Sequence, residues 1–94
     1  MLFAEKIRQL REEKQLLQRQ VSAVLEIDNA LYCKIERGGR RVKREQIAII
    51  AQLLQTDENT LVTLWLADKI ISAIGEEKKF AEKAFNVAQK NIVK

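Results

Sequence analysis

Between Asp28 and Arg37 the side chains sort into an inner pair and an outer stripe, and the outer stripe carries groups of the kind that pair with base edges. Tyr32 and Ile35 share one helical face at a spacing of three. Once these turn inward, Asp28, Asn29, Ala30, Cys33, Lys34 and Arg37 face the opposite way. An amide and a cation near the start of a short helix suit the donors and acceptors displayed in a major groove. The rest of the chain offers little covalent chemistry. Histidine is absent, which removes the commonest metal ligand and general base, and Cys33 has no second thiol to pair with. The expectation is a protein that binds and is not an enzyme, with no catalytic residue, no metal site and no cofactor.

Such a stripe can read bases only if it is held rigidly, and the residues before Asp28 supply the support. Val21 and Leu25 lie on one face of a preceding helix, expected from about Leu17 to Leu25, and Ile27 sits in the turn. The stretch from Gln18 to Gly38 therefore has the pattern of a helix-turn-helix. The two helices pack closely only where a residue of the first is small, and Ser22 followed by Ala23 meets that demand. The turn requires a backbone at positive φ, where glycine is usual. Glu26 stands there instead, at a cost of roughly 1 kcal/mol. Asp28 can accept a hydrogen bond from an orphaned backbone N–H and so start the reader helix, and Gly38 is suited to end it in a left-handed cap.

Charge singles out the same half of the chain. The net charge of +4 is modest, but from Met1 to Thr56 there are eleven Lys/Arg against seven Asp/Glu, whereas from Asp57 to Lys94 there are six of each. Every arginine lies between Arg8 and Arg44, and Arg37, Arg40, Arg41, Lys43 and Arg44 form a run with no acid inside it. The planar fork of arginine matches phosphate oxygens, so the first part reads as a nucleic-acid face. Glu36 sits among these cations, where a carboxylate more often bonds arginine or a backbone group of its own fold.

The remaining elements are helical, which makes the expected fold all-α. Phe3, Ile7 and Leu10 mark a first amphipathic helix over about Leu2 to Lys14. Ile47, Ile50, Ala51 and Leu54 give the inner stripe of a fourth, from about Lys43 to Gln55, and Thr56, Asp57 and Asn59 mark the break after it. A fifth helix, from about Glu58 to Ile74, is apolar on more than one side, because Leu61, Leu64, Trp65, Leu66, Ile70, Ile71 and Ile74 cannot all face one core. A symmetric dimer is the economical cover, with Leu61, Leu64, Trp65 and Ile70 at its seam. Gly75, Glu76 and Glu77 read as a stop and restart, and a charge-balanced sixth helix from Glu76 to Val93 is expected on or beside that seam. With 94 residues, 47% hydrophobic and 32% charged, the chain has room for one small core and no separate sensing or catalytic domain. It has no apolar run of about 18 residues, so the expectation is a cytoplasmic protein with no membrane partner and no small-molecule ligand.

The segments LREEKQLLQRQV, YCKIERGGRRV and IAIIAQLLQTDENTL resemble, in order and spacing from about Leu10 to Leu61, the lambda-repressor-like class of bacterial helix-turn-helix regulators. That class, also called the xenobiotic-response-element family, includes phage repressors and the small controller proteins of restriction-modification systems. KIERG after the reader helix is the most specific piece. The chain departs from the pattern at Glu26 for glycine, Cys33 for serine, Gly39 for an acid and Val42 for proline. The resemblance implies a five-helix DNA-binding domain over residues 1–75 with an additional C-terminal helix over 76–94. It implies that Gln18 bonds a DNA phosphate and braces the reader helix. It makes Asn29, Ala30, Cys33 and Lys34 the base readers, with asparagine suited to adenine, lysine to guanine and alanine to a thymine methyl. Arg19, Arg37, Arg40, Arg41 and Lys43 would then hold phosphates on either side, setting register without carrying sequence information.

The implied function is a homodimeric regulator of transcription on a pseudo-palindromic operator in double-stranded DNA, nucleoid-associated when bound and controlled by its own concentration. Two rivals stay open from the sequence. One is an antitoxin that binds DNA and also grips a toxin through its fifth and sixth helices. The other is an interaction module of the same fold that has lost DNA binding.

Overall fold

Phe3, Ala4 and Ile7 are buried at helical spacing and define the inner face of α1 (Leu2–Glu13) in the computed structural model, which describes residues 1–93. The described chain continues through α2 (Gln18–Leu25), α3 (Asn29–Glu36), α4 (Arg44–Leu54), α5 (Glu58–Ile74) and α6 (Ala81–Ile92), with no strand among these residues. Lys94, the last residue of the expected C-terminal extension, lies outside the described residues. The fold is all-α, as the periodicity predicts, and five of the six helices fall within about one residue of their expected ends. The exception is α6, which begins at Ala81 after a 3-10 turn over Lys78–Phe80 and does not restart at Glu76.

One core unites the first five helices. Phe3, Ile7, Val21, Leu25, Tyr32, Ile35, Val42, Ile47, Ile50, Ala51, Leu54 and Leu61 pack together, and Leu10, Leu16, Ile27, Leu31 and Leu53 close its edges. Each fully enclosed Leu or Ile there is worth about 1.5–3 kcal/mol relative to exposure. Leu61 is one of them, with 0% exposure, so it belongs to this core and not to an intersubunit seam as its sequence context suggested. The apolar surplus of α5 lies further along, at Leu66, Ile70 and Ile71, all exposed.

Helix ends follow two repeated devices. At the starts of α2 and α4 the amide oxygens of Gln20 and Gln46 reach back to the backbone N–H of Leu17 and Lys43, at 2.6 and 2.7 Å. At the ends of α1 to α4 one residue turns left-handed: Gln15 (φ 56), Glu26 (φ 58), Gly38 (φ 81) and Gln55 (φ 54). In each, the next residue donates back to a carbonyl one turn earlier, as in Leu16 to Arg11 at 3.1 Å and Ile27 to Ser22 at 3.0 Å. This pair of bonds satisfies terminal carbonyls that the helix cannot satisfy itself. Only one of the four positions is glycine, so three carry a side-chain penalty of about 1 kcal/mol each.

The start of α1 is capped from a distance. The carboxylate of Asp68, on α5 and 4% exposed, accepts from the backbone N–H of Leu2 at 2.9 Å and of Phe3 at 3.0 Å. Asp57 caps α5 locally, accepting from Asn59 N–H at 3.4 Å. Asp28 occupies the N-cap position of α3, but its side chain makes no capping bond, contrary to the sequence expectation. Beyond Gly75 the chain leaves the core: every residue of α6 except Ala81 is exposed, and the molecule measures 42 × 27 × 22 Å.

Candidate nucleic-acid interface

The turn between α2 and α3 is set by Glu26 in the left-handed region and by Ser22, 3% exposed, at the close approach of the two helices. Ser22 Oγ donates to the carbonyl of Arg19 at 3.1 Å and lies 3.4 Å from Asn29 Oδ1. Bulk at Ser22 would separate the helices. Tyr32 and Ile35 anchor α3 from behind at 0% and 3% exposure. The opposite edge presents Asn29, Ala30 and Lys34 to solvent, with Cys33 half-buried beside them.

A polar network fixes α3 against α1 and α2. The guanidinium of Arg11 donates from Nε to Glu36 Oε2 at 2.6 Å and from Nη2 to Oε1 at 3.0 Å, and its Nη1 reaches the carbonyl of Leu16 at 2.8 Å. The two side chains are 12% and 2% exposed, so this is a buried, bidentate ion pair. Gln18 joins it. Its Nε2 donates to Glu36 Oε1 at 3.2 Å, and its Oε1 lies 3.0 Å from the thiol of Cys33. Gln18 thus spans from the first turn of α2 to two turns of α3. The sequence reading that Glu36 bonds within its own fold matches this geometry, although its partner, Arg11, was not foreseen.

Ionisation follows from burial and neighbours. Burial alone would raise the Glu36 carboxyl, but the Arg11 hydrogen bonds, followed by the neighbouring Tyr32 hydroxyl and Gln18, leave it below the ordinary carboxylate value. Glu36 in turn raises Arg11. Burial first, and then the adjacent Glu36, pushes the Tyr32 hydroxyl above the ordinary phenol range, and that hydroxyl has no hydrogen-bond partner among the described residues.

Basic residues flank α3 along the chain on both sides. Arg19, Arg37, Arg40 and Lys43 are exposed, and among the described residues none of them, nor Lys34, pairs with a carboxylate. Arg44 differs, lying 3.3 Å from Glu58. Arg41, expected among the phosphate contacts, is half-buried and donates from Nη2 to the carbonyl of Trp65 at 2.7 Å. Of the residues expected at a seam between subunits, Leu64 and Trp65 are half-buried against the core and Ile70 is exposed. No group of three or more His, Cys, Asp or Glu residues could hold a metal ion among the described residues, and no helix there is long and apolar enough to cross a membrane.

Sequence reasoning missed Asp68 and the partnership of Arg41 with Trp65. The one available signal for Asp68 was an acid in an otherwise apolar helical stretch, between Ala67 and Lys69. A family profile described as a helix-turn-helix domain matches residues 2–64, two-thirds of the chain. No curated protein and no solved structure matches it.

Proposed function

Because this chain belongs to the helix-turn-helix domain family, we propose that it is a lambda-repressor-like transcriptional regulator that binds double-stranded DNA sequence-specifically as a homodimer. The observation that carries the reading is the exposed edge of α3, braced from behind by the Arg11–Glu36–Gln18 network and flanked by unpaired cations. In this reading Asn29, Ala30, Cys33 and Lys34 meet base edges, while Arg19, Arg37, Arg40 and Lys43 meet phosphates. Gln18 contributes one further phosphate contact from the start of α2. The protein acts in the cytoplasm, without catalysis or cofactor.

Dimerisation falls to the part of the chain that the core leaves uncovered. Ile70 on α5 and Phe85, Ala88, Ile92 and Val93 of the C-terminal segment line an open apolar groove, and α5 leaves Leu66 and Ile71 exposed as well. Apolar surface of this extent is normally covered by a partner. A second copy of the same segment would also be charge-matched, because the chain after Thr56 carries equal numbers of acids and bases. We assign residues 1–75 to DNA binding and 76–94 to this extension. The unpartnered α6 also favours a second reading, in which the same groove holds a different protein and the chain acts as an antitoxin.

Selection from random duplexes, repeated across salt concentrations, tests the proposal. The expected product is a two-fold motif with half-sites about 10 base pairs apart, or a multiple of that, bound more weakly as salt rises. A selection that returns no two-fold motif would overturn the dimeric, specific regulator. A stable complex of unequal chains on copurification would replace it with the antitoxin reading.

A further inference from the structure

Within the loop between α3 and α4, the exposed cations Arg40 and Lys43 lie on either side of two residues that turn inward. Of these, Val42 is 3% exposed and packs in the core. Its carbonyl accepts from the indole Nε1–H of Trp65 at 3.0 Å, and Arg41 returns a bond to the carbonyl of Trp65 at 2.7 Å. The Arg41 guanidinium also lies 5.1 Å from the indole centroid, and the Lys69 ammonium lies 3.9 Å from it. Trp65 therefore grips adjacent loop residues through both its side chain and its backbone, with two cations against its ring.

We propose that Trp65 is a positioning residue for phosphate binding, and that Arg41 acts through Trp65 and not on DNA. This rests on the DNA-binding reading above. A loop without regular backbone bonding has no intrinsic geometry, so the spacing of Arg40 and Lys43 is set where the loop is tied down. Val42 in the core and the Gln46 bond to the N–H of Lys43 hold part of it, and the pair of hydrogen bonds to α5 ties the stretch between Arg40 and Lys43. Arg41 would have to break its bond to the Trp65 carbonyl and leave the ring to reach a phosphate with the same nitrogen. The planar fork is what allows one side chain to bond a carbonyl and lie against an indole together, which lysine cannot reproduce. Because α5 also carries the exposed apolar residues proposed for self-association, the clamp links the phosphate-binding loop to the helix through which two copies would meet.

The test measures affinity for the duplex recovered by selection, over a range of salt, for the unmodified protein, Trp65→Phe, Arg41→Ala, Arg41→Lys and the Trp65→Phe/Arg41→Ala pair. Positioning predicts that Trp65→Phe, which keeps an aromatic ring but loses the N–H, weakens binding to all duplexes about tenfold without changing sequence preference. It predicts that Arg41→Lys is as weak as Arg41→Ala, and that the double variant is no weaker than the poorer single. In the free protein, amide exchange at Val42 and Lys43 should accelerate in Trp65→Phe. Multiplying losses in the double variant, together with near-normal binding by Arg41→Lys and a salt slope reduced by about one charge in Arg41→Ala, would overturn the inference and make Arg41 a phosphate ligand. The Arg41 pair decides the matter even if Trp65→Phe does not fold. If the unmodified protein bound no duplex at all, the DNA-binding reading would fail and take this inference with it, an outcome distinct from additivity.

Discussion

α3 and α6 are both amphipathic helices open to solvent, the first along one edge and the second on nearly every side, and they are held in opposite ways. The open edge of α3 is polar and cationic, and behind it Tyr32, Ile35 and the Arg11–Glu36–Gln18 network lock its position. The open face of α6 is apolar, with Phe85 47% and Ile92 78% exposed, and its own chain covers almost none of it. A helix fixed by its neighbours and showing hydrogen-bonding groups is preorganised for a hydrated, charged surface. A helix that shows hydrocarbon and lacks neighbours gains most from a protein partner. In the proposed reading the first helix recognises DNA and the second serves assembly.

Breaking the brace should give the largest effect. Arg11→Ala leaves Glu36 as an uncompensated buried charge and should cost about 3–5 kcal/mol, read by chemical denaturation. The same pair sets an acid limit. The folded-state value of Glu36 is lowered, so its contribution is complete above its ordinary value of 4.5 and is lost as pH falls through the lower folded value. Unfolding midpoints measured from neutral to acidic pH should drop in that window in the unmodified protein, and much less in Glu36→Gln. An equal drop in both would remove Glu36 from the account.

Substitutions on the two open faces sharpen the contrast at the next scale. Asn29→Ala should cost about 1–3 kcal/mol on the selected duplex and relax its sequence preference, whereas Arg40→Ala should weaken all duplexes alike. Phe85→Ser with Ile92→Ser should leave the unfolding midpoint of the core within the small range typical of exposed sites but lower the apparent mass in sedimentation at a fixed concentration. A core that melts much earlier would mean that α6 supports the fold, and the distinction drawn between the helices would be wrong. The smallest effect belongs to the left-handed helix ends. Glu26→Gly should relieve side-chain strain and stabilise by up to about 1 kcal/mol, less the extra flexibility glycine gives the unfolded chain.

The helices were legible because their buried residues recur at helical spacing, as at Phe3 and Ile7 or Ile47, Ile50 and Leu54. Turn chemistry was harder to read. Gln15 and Gln55 terminate helices in a conformation that glycine usually marks, so nothing in their type announces it. Glu26 was found only because the helix-turn-helix spacing demands a left-handed residue there. At the interface, the outward edge of α3 followed from which residues must face inward. The long-range polar partners did not: Asp68 caps α1 from 66 residues away, and Arg11 reaches Glu36 across 25. Such pairs depend on how helices cross, which local periodicity does not encode. The placement of Leu61 failed for a related reason, since an apolar helix with several faces does not reveal which of them meets the core.

The central claim is that the braced edge of α3, and not the apolar face of α6, meets DNA. Backbone amide shifts followed while the selected duplex is titrated into the full chain test it most directly. The account predicts the largest changes at Asn29, Ala30, Cys33 and Lys34 and along the loop from Gly39 to Lys43, with Phe85 and Ile92 nearly still. Changes concentrated on α6, with α3 silent, would contradict it.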